Sequence, residues 1–204
     1  THPRSSAASD VYKRQILEVL KKNKIKLISS GGTYKAIKRL KFECLEVSDF
    51  TGFDEVLDGR VKTLHPKIYA GILNKRKNKI HAKEMKLKNF ENIDLVIVNF
   101  YPFEKTIKKT KNNDKIIENI DIGGPTLARA AAKNYNDVAV ITSTKQYKEL
   151  MNELIVNRGY TSLNFREKMS RLAFTETAFY DSVISNYFND ISCLLYTSPS
   201  PRDG

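Results

Sequence analysis

GRVKTLHPKIYAGIL, residues 59–73, is the stretch from which the fold class and the chemistry of this chain follow. If its first half is extended, Arg60 and Lys62 point to the same side, because side chains alternate along such a backbone. Thr63 adds a hydroxyl group beside them, and Pro66 holds the turn by fixing its own φ angle. Two cations and a hydroxyl on a short rigid loop predict a receptor for a phosphate or an oxyanion. The spacing alone fits a solvated basic loop equally well.

Length and composition restrict the class of protein. The chain has 204 residues, 41% of them hydrophobic and 28% charged, which is typical of a globular domain with a sizeable core. No apolar run approaches the roughly 20 residues that span a bilayer, so we expect no membrane partner. The two cysteines, Cys44 and Cys193, are too few for a disulfide framework or a metal cluster. We therefore expect no metal and a cytoplasmic location.

The formal net charge of +12 raises the question of a nucleic-acid partner. The lysines are scattered among asparagines and isoleucines, a bias typical of an AT-rich coding sequence rather than of a binding stripe. No RNA-binding aromatic motif, zinc finger or basic helix with heptads is present in the sequence. We predict that the chain binds no nucleic acid.

The two ends of the chain differ in composition from its middle. Residues 1–15 and 191–204 are rich in serine, proline and arginine and resemble translated adapter sequence fused to a genuine reading frame. Native disordered tails are the alternative. We predict one domain over residues 16–190, whose C-terminal helices lead to a linker, between two non-native flanks.

Within this domain the hydrophobic pattern alternates between helices and strands. Such alternation favours a parallel sheet with helices on both faces, whose ligands bind beyond the carboxyl ends of the strands. The predicted strands are 24–29, 44–47, 93–100 and 138–141, and the predicted helices are 16–23, 34–40, 51–57, 80–87, 104–111, 115–120, 144–157 and 164–187.

Two glycine-containing motifs follow predicted strands or begin predicted helices. SGGT, residues 30–33, offers free backbone amides to an anion, although Thr33 could equally cap the next helix. In IDIGGPTLARAAAKN, residues 120–134, the amides near Ile122 could bind an oxyanion, and Pro125 suits a first helical turn. Solvated helix charges are the alternative for the cations of this motif.

Four blocks in chain order carry a resemblance to a known family. They are GRVKTLHP followed by GIL, NFYPF at 99–103, IDIGGPT with RAAAKN at 120–134, and FTETAFYD at 174–181. Together they resemble the cyclohydrolase domain of the bifunctional AICAR formyltransferase/IMP cyclohydrolase family. The resemblance implies an α/β fold of the methylglyoxal-synthase-like class, a three-layer α/β/α sandwich with a parallel sheet.

The resemblance also implies an activity, IMP cyclohydrolase. The reaction closes formyl-AICAR to IMP with loss of water, as the last step of de novo purine biosynthesis, without metal or coenzyme. A homodimer is expected for the intact protein, and the purine nucleotide is its expected ligand. The cofactor 10-formyltetrahydrofolate belongs to the transferase domain, which this chain lacks. A regulatory nucleotide- or phosphate-binding module of the same fold, without turnover, is the alternative.

The family's functional residues are carried over by motif. Arg60 and the SGGT loop are expected to hold the ribose phosphate, and Lys62 to stabilise the formyl oxyanion. His65, held before Pro66, is expected to be a structural hydrogen-bonding residue. The predicted catalytic residues are Lys62, Tyr101, Asp121 and Lys133, and the predicted substrate-binding residues are Ser30, Gly31, Gly32, Thr33, Arg60, Thr63, Asn99, Ile122 and Gly123.

One departure from the family pattern affects stability. The family opens with a strand and an SVSDKxG loop that helps bind the phosphate, and adapter-like sequence stands in their place here. The missing strand is expected to lie inside the sheet, so its loss leaves backbone N–H and C=O groups unpaired, each costing about 1–3 kcal/mol if buried. We therefore expect the chain, as a fragment, to be inactive and poorly stable.

Overall fold

Helices dominate the chain in a computed structural model that describes the backbone of residues 3–100 and 103–196 and the side chains of residues 13–100 and 103–190. A short 3-10 helix, Thr144–Gln146, precedes α9. Among the residues so described, no helix combines the length and the apolar composition needed to cross a membrane. The α-helices are α1 (Pro3–Lys22), α2 (Gly31–Arg39), α3 (Val47–Thr51), α4 (Pro66–Leu73), α5 (Lys79–Leu87), α6 (Phe103–Lys109), α7 (Asn113–Glu118), α8 (Gly123–Lys133), α9 (Tyr147–Val156) and α10 (Leu163–Tyr196).

The described strands are short and form two separate parallel pairs. Strand β1 (Ile28–Ser29) pairs with β2 (Leu45–Glu46), and β3 (Leu95–Ile97) pairs with β4 (Ala139–Ile141). Four strands and their parallel direction were predictable, but the strands are shorter than the apolar runs that predicted them. The single continuous sheet predicted from the alternation is not formed among the described residues, because β1 and β3 do not pair.

The main hydrophobic core lies where α8 and α10 cover β3 and β4. Ala128, Ala131 and Ala132 present a face of α8 that is at most 1% exposed, and β4 is equally buried. Small side chains let a helix lie close to its neighbours, so α8 contacts both α10 and β4 closely. Each buried apolar side chain of ordinary size contributes about 1.5–3 kcal/mol. The packing of α8 and α10 against β3 and β4 therefore supplies the rigid part of the fold.

A smaller apolar cluster lies under the second half of α10. Phe103, Ile116 and Tyr180 are its buried members. The Tyr180 ring lies 5.5 Å from that of Phe100 and 6.3 Å from that of Phe103, in tilted and edge-to-face arrangements that aromatic pairs prefer. The cluster fixes α6, α7 and the end of β3 onto α10.

The predicted helix over 51–57 is wrong. The helix in this region is α3, which ends at Thr51 because Gly52 adopts the left-handed conformation with φ 73°. The Thr51 hydroxyl bonds to the carbonyl of Val47 at 2.8 Å, so this residue closes the helix rather than opening one. Residues 66–73, to which the sequence analysis assigned no helix, form α4.

The ends of several helices also differ from expectation. The SGGT motif is not a loop, because α2 begins at Gly31 and includes the residues predicted to precede it. Helix α1 begins at Pro3, so it runs without interruption across the boundary predicted between residues 15 and 16. Helix α10 continues to Tyr196, beyond the predicted end at 187. The predicted helices over 80–87 and 144–157 are confirmed within a residue or two, apart from the 3-10 turn at the start of the second.

Four described helices, α1, α2, α5 and α9, end in the same strained way, and after two of them the strained residue is a lysine. Lys24 follows α1 and Lys41 follows α2, and both have left-handed backbones, with φ 56° and 64°. In each case the following amide reaches back to the helix, from Ile25 to Leu20 at 3.0 Å and from Phe42 to the carbonyl five residues earlier at 3.3 Å. Glycine is the usual residue at this position, because a Cβ atom is unfavourable there.

We predict that Lys24→Gly and Lys41→Gly each stabilise the fold by about 0.5–1 kcal/mol. Relief of left-handed strain, on the order of 1–2 kcal/mol, is partly offset by the greater freedom of glycine in the unfolded chain. Urea unfolding measures the change, with Lys35→Gly in the middle of α2 as the control, which should lose about 0.7 kcal/mol. Losses of the same size at all three positions would contradict the prediction.

Tyr69 gives the fold a dependence on alkaline pH. Its hydroxyl oxygen is buried without a hydrogen-bond partner among the described residues, and burial raises the pKa of Tyr69 to about 12. Because the pKa is about 10 in an unfolded chain, the contribution of neutral Tyr69 to stability is complete below pH 10. It is lost as the pH rises from about 10 towards 12.

We therefore predict that Tyr69→Phe reduces the loss of stability between pH 10 and 12. At pH 7 the variant should be as stable as the parent or slightly more stable, because an unpaired buried hydroxyl is removed. Urea unfolding at pH 7 and at about pH 11 tests this, with Tyr160→Phe, which removes an exposed hydroxyl, as the control. Equal alkaline losses in the two variants would rule out this role for Tyr69.

Candidate functional site

The predicted anion-binding segment begins within a tight turn. The Val56 amide donates to the Val61 carbonyl at 3.1 Å, and the Val61 amide donates back to the Val56 carbonyl at 3.3 Å. Residues 57–60 form the turn between them. Arg60 thus belongs to the turn, and the expectation that residues 59–66 are extended is wrong for their first half.

The tip of this turn holds three consecutive left-handed residues. Leu57, Asp58 and Gly59 have φ angles of 56°, 54° and 83°. Each left-handed residue other than glycine costs on the order of 1–3 kcal/mol and persists only where the surrounding structure imposes it. Strain of this kind is most often found next to binding and catalytic residues, and here it lies directly before Arg60.

The Lys62 side chain extends from this turn to the start of α2. A Cβ atom at Gly31 would lie 3.5 Å from Lys62 Nζ, and Gly31 has a left-handed backbone that glycine adopts without strain. Ser30 precedes it as the N-cap, and its side chain makes no capping hydrogen bond. The first amides of a helix lack intrahelical partners and lie at the positive end of the helix dipole. A cation therefore lies at a positive helix end, and an anion bound there would neutralise both.

Thr63, the next residue, crosses to the start of α8. A Cβ atom at Gly123 would lie 2.9 Å from Thr63 Oγ1, closer than side chains normally approach. The amide of Gly124 donates to Asp121 Oδ1 at 2.9 Å, so this carboxylate caps the helix. The two adjacent residues Lys62 and Thr63 therefore bring the starts of α2 and α8 to one place.

The end of β3 reaches the same place. A Cβ atom at Gly124 would lie 3.1 Å from Val98 Cγ2 and would also overlap the Asp121 carboxylate. Asn99 follows directly, and its side-chain amide donates to the Tyr147 hydroxyl at 2.9 Å. Lys62, Thr63 and Val98 therefore connect the SGGT motif, the start of α8 and the residues after β3 through these close approaches.

Tyr180 holds the backbone of Asp121 in place. Its hydroxyl oxygen accepts a hydrogen bond from the Asp121 amide at 2.8 Å. Burial is the main reason that the pKa of Tyr180 is raised, and the nearby carboxylates of Asp121 and Asp181 raise it further. The tyrosine is therefore held neutral. The sequence analysis quoted Tyr180 only as part of a family block, since nothing in its spacing points to a residue 59 positions away.

The space beside Lys62 is small and mixed in charge. A pocket of about 30 Å³ lies there, lined by two carboxylates and two serine hydroxyls in addition to the ammonium group. This volume holds one or two water molecules rather than a nucleotide, so a nucleotide would lie outside it, over the helix start. The lining residues are Ser30, Glu46, Val47, Ser48, Phe53, Glu55 and Lys62.

The other predicted site residues lie at different distances from this place. Arg60 Nη2 forms an ion pair with Glu118 Oε2 at 3.2 Å, at the end of α7. Ile122 is exposed as the N-cap of α8, and Gly32 and Thr33 are exposed in the first turn of α2.

Of the other two predicted catalytic residues, one lies away from this place and one lies outside the described residues. Lys133 is exposed at the far end of α8, about 15 Å along the helix axis from Gly123. Tyr101 lies outside the described residues. Among the described residues, no group of three His, Cys, Asp or Glu side chains could hold a metal ion.

His65 has the structural role expected of it. It is the extended N-cap of α4, with φ −130° and ψ 136°, and Pro66 is the first helical residue. Its Nδ1 atom accepts a hydrogen bond from the Lys67 amide at 3.1 Å. The imidazole therefore fixes the start of α4, which keeps the 60–63 segment in place.

Close approach at Gly124 predicts a specific effect of adding one methyl group. Gly124→Ala should destabilise the fold by about 1–3 kcal/mol, because the new Cβ atom meets Asp121 and Val98. Gly32→Ala is the matched control, because a Cβ atom there meets nothing within 4 Å and alanine suits a helix better than glycine. Urea unfolding of both variants measures the difference. A Gly124→Ala variant as stable as Gly32→Ala would show that this approach is looser than described.

Comparison with known protein families gives two matches that follow one another along the chain. The family of MGS-like domains matches residues 15–126. The AICARFT/IMPCHase bienzyme family matches residues 131–200. A solved crystal structure of ForH also matches, with a TM-score of 0.77, 26% sequence identity, and coverage of 87% of this chain and 91% of that chain.

Curated relatives share nearly half of the sequence. The bifunctional purine biosynthesis protein PurH of Bradyrhizobium diazoefficiens is 47% identical over 175 residues, covering 86% of this chain and 33% of that protein. The protein of the same name from Ruminiclostridium cellulolyticum is 48% identical over 167 residues, covering 81% of this chain and 32% of that protein. The chain therefore spans about a third of the length of the curated relatives it matches. It belongs to the family of MGS-like domains, and it is similar to one part of the bifunctional purine biosynthesis proteins.

Proposed function

We propose that this domain is an IMP cyclohydrolase, which closes formyl-AICAR to IMP with loss of water. The observation that carries the proposal is the pair Lys62 and Thr63, which joins the start of α2 to the start of α8. The names of the curated relatives, which place them in purine biosynthesis, support the same substrate class. We also propose that the two strand pairs belong to one sheet of a three-layer α/β/α sandwich.

The phosphate of the nucleotide would bind at the start of α2. Helix starts bind phosphate well, because free amides and the helix dipole act together. The half-buried Ser30 hydroxyl, which caps no amide, is available to the ligand. Gly32 and Thr33 would add their amides, and Arg60 would add a cation from the neighbouring turn.

Ring closure needs the carboxamide nitrogen to attack the formyl carbon of the same molecule. One N–C bond forms, the formyl oxygen becomes an oxyanion, and water later leaves with that oxygen and two protons. Because the reacting groups are already tethered, holding them in line supplies much of the acceleration. The site then has to stabilise the oxyanion and move protons.

Lys62 and the residues at the start of α8 suit these tasks. Lys62 and the amides of Ile122 and Gly123 would stabilise the oxyanion, and the Asp121 carboxylate would accept or orient the carboxamide proton. Asp121 is held on both sides, by the Gly124 amide and through its own amide by Tyr180. Tyr101 and Lys133 remain predicted participants in proton transfer.

Further properties of the whole protein are part of the same proposal. We expect a cytoplasmic homodimer that needs no metal or coenzyme for ring closure, and 10-formyltetrahydrofolate only for a separate transferase domain. Binding of the nucleotide without turnover would favour the regulatory-module alternative.

Activity is best tested in a full-length protein. Residues 16–190 would replace the matching segment of the Bradyrhizobium diazoefficiens relative, and IMP formation would be followed spectroscopically with a chelator present. We predict turnover unaffected by the chelator. Loss of turnover on metal removal would contradict the metal-free mechanism.

Lys62→Ala in that protein should lower kcat by about 10²–10³, because one preorganised donor to the oxyanion is lost. Binding of IMP, in which no oxyanion forms at this position, should weaken much less. Lys35→Ala, which removes an exposed cation of α2, is the control and should keep parental kcat. Near-parental kcat in Lys62→Ala would show that Lys62 is a solvated loop cation.

A further inference from the structure

The Arg60–Glu118 ion pair joins the proposed phosphate site to a carboxylate that the sequence analysis did not single out. Arg60 Nη2 and Glu118 Oε2 lie 3.2 Å apart. Glu118 is the last residue of α7, and only two residues separate it from Asp121. The ion pair therefore bridges the strained turn and the connection that leads to α8.

The carboxylate is at an unfavourable position on its own helix. The carboxyl end of a helix carries partial negative charge, so a carboxylate in the last residue is destabilising there. Arg60 supplies the opposite charge from outside the helix. The turn before Arg60, with its left-handed residues, fixes the backbone of this arginine, whose amide donates to the Leu57 carbonyl at 3.1 Å.

The ion pair is nevertheless weak enough for Arg60 to exchange Glu118 for another anion. The side chains of Arg60 and Glu118 are 63% and 60% exposed. Exposed pairs of this kind contribute at most about 1 kcal/mol, because water screens them. A phosphate offers the guanidinium group two oxygens at once, a stronger arrangement than a single carboxylate oxygen.

We propose that Glu118 is a built-in competitor of the phosphate for Arg60. It holds the guanidinium group beside the site while no anion is bound, and it gives up the arginine when a phosphate arrives. Glu118 therefore lowers the affinity for phosphate while keeping Arg60 ordered. This inference rests on the proposed function for the identity of the full ligand, but only on Arg60 for the phosphate itself.

The test measures the dissociation constants of inorganic phosphate and of IMP for the 204-residue chain and its variants by calorimetry. Glu118→Gln should bind phosphate about two- to fivefold more tightly, the fold-change that corresponds to the free energy of an exposed ion pair. Glu84→Gln removes the same charge from exposed α5 and should leave affinity unchanged. In an Arg60→Ala background, Glu118→Gln should have no effect on phosphate binding.

Three outcomes overturn the inference. Unchanged or weaker phosphate binding in Glu118→Gln would show that Glu118 does not compete. Equal tightening in Glu84→Gln, or tightening that persists in Arg60→Ala, would show a general charge effect. Absence of phosphate binding to the parent chain would show that Arg60 has no anion to exchange. Tightening for phosphate together with no binding of IMP would leave the inference standing and refute the proposed nucleotide substrate.

Discussion

The burial of the alanine face of α8 is the constraint on which the rest of the structure depends. Ala128, Ala131 and Ala132 let the helix lie against α10 and β4 with almost no exposed surface. Asn134, buried directly after the helix, donates its side-chain amide to the carbonyls of Ile72 at 2.8 Å and Asn74 at 3.0 Å. The end of α4 is thereby tied to the end of α8. Because both helices are fixed at these ends, their opposite ends meet reproducibly around residues 60–63.

The candidate site is built from close approaches that exclude a methyl group. Thr63 Oγ1 occupies the space beside Gly123, and the Asp121 carboxylate occupies the space beside Gly124. Such contacts leave little freedom to the groups that form them, since any shift meets van der Waals repulsion. The site residues are therefore positioned mainly by packing, which also determines where their charges lie.

Charge is distributed unevenly around this packed centre. Lys62 lies against the positive end of α2, and Glu118 lies at the negative end of α7 with Arg60 as its partner. Arg60 thus compensates the negative charge at the end of α7, whereas Lys62 adds positive charge to the positive start of α2. A single anion bound at the start of α2 would change both arrangements at once, which connects ligand binding to the order of the 56–61 turn.

The sequence by itself determined the parallel α/β class, the four strands, the structural role of His65 and most of the residues that meet at the site. The class, the strands and the role of His65 follow from local patterns such as apolar runs and a proline at a helix start, whereas the site residues follow from the resemblance to a known family. Only the tertiary structure decided the split of the strands into two pairs, helix α4, the end of α3 at Thr51, and the partners Tyr180 and Glu118. The strand pairs and the partners Tyr180 and Glu118 depend on contacts between residues distant in the chain, such as the 59 positions between Asp121 and Tyr180. A local pattern carries no information about such contacts, because the packing free energy that selects them is a property of the assembled core.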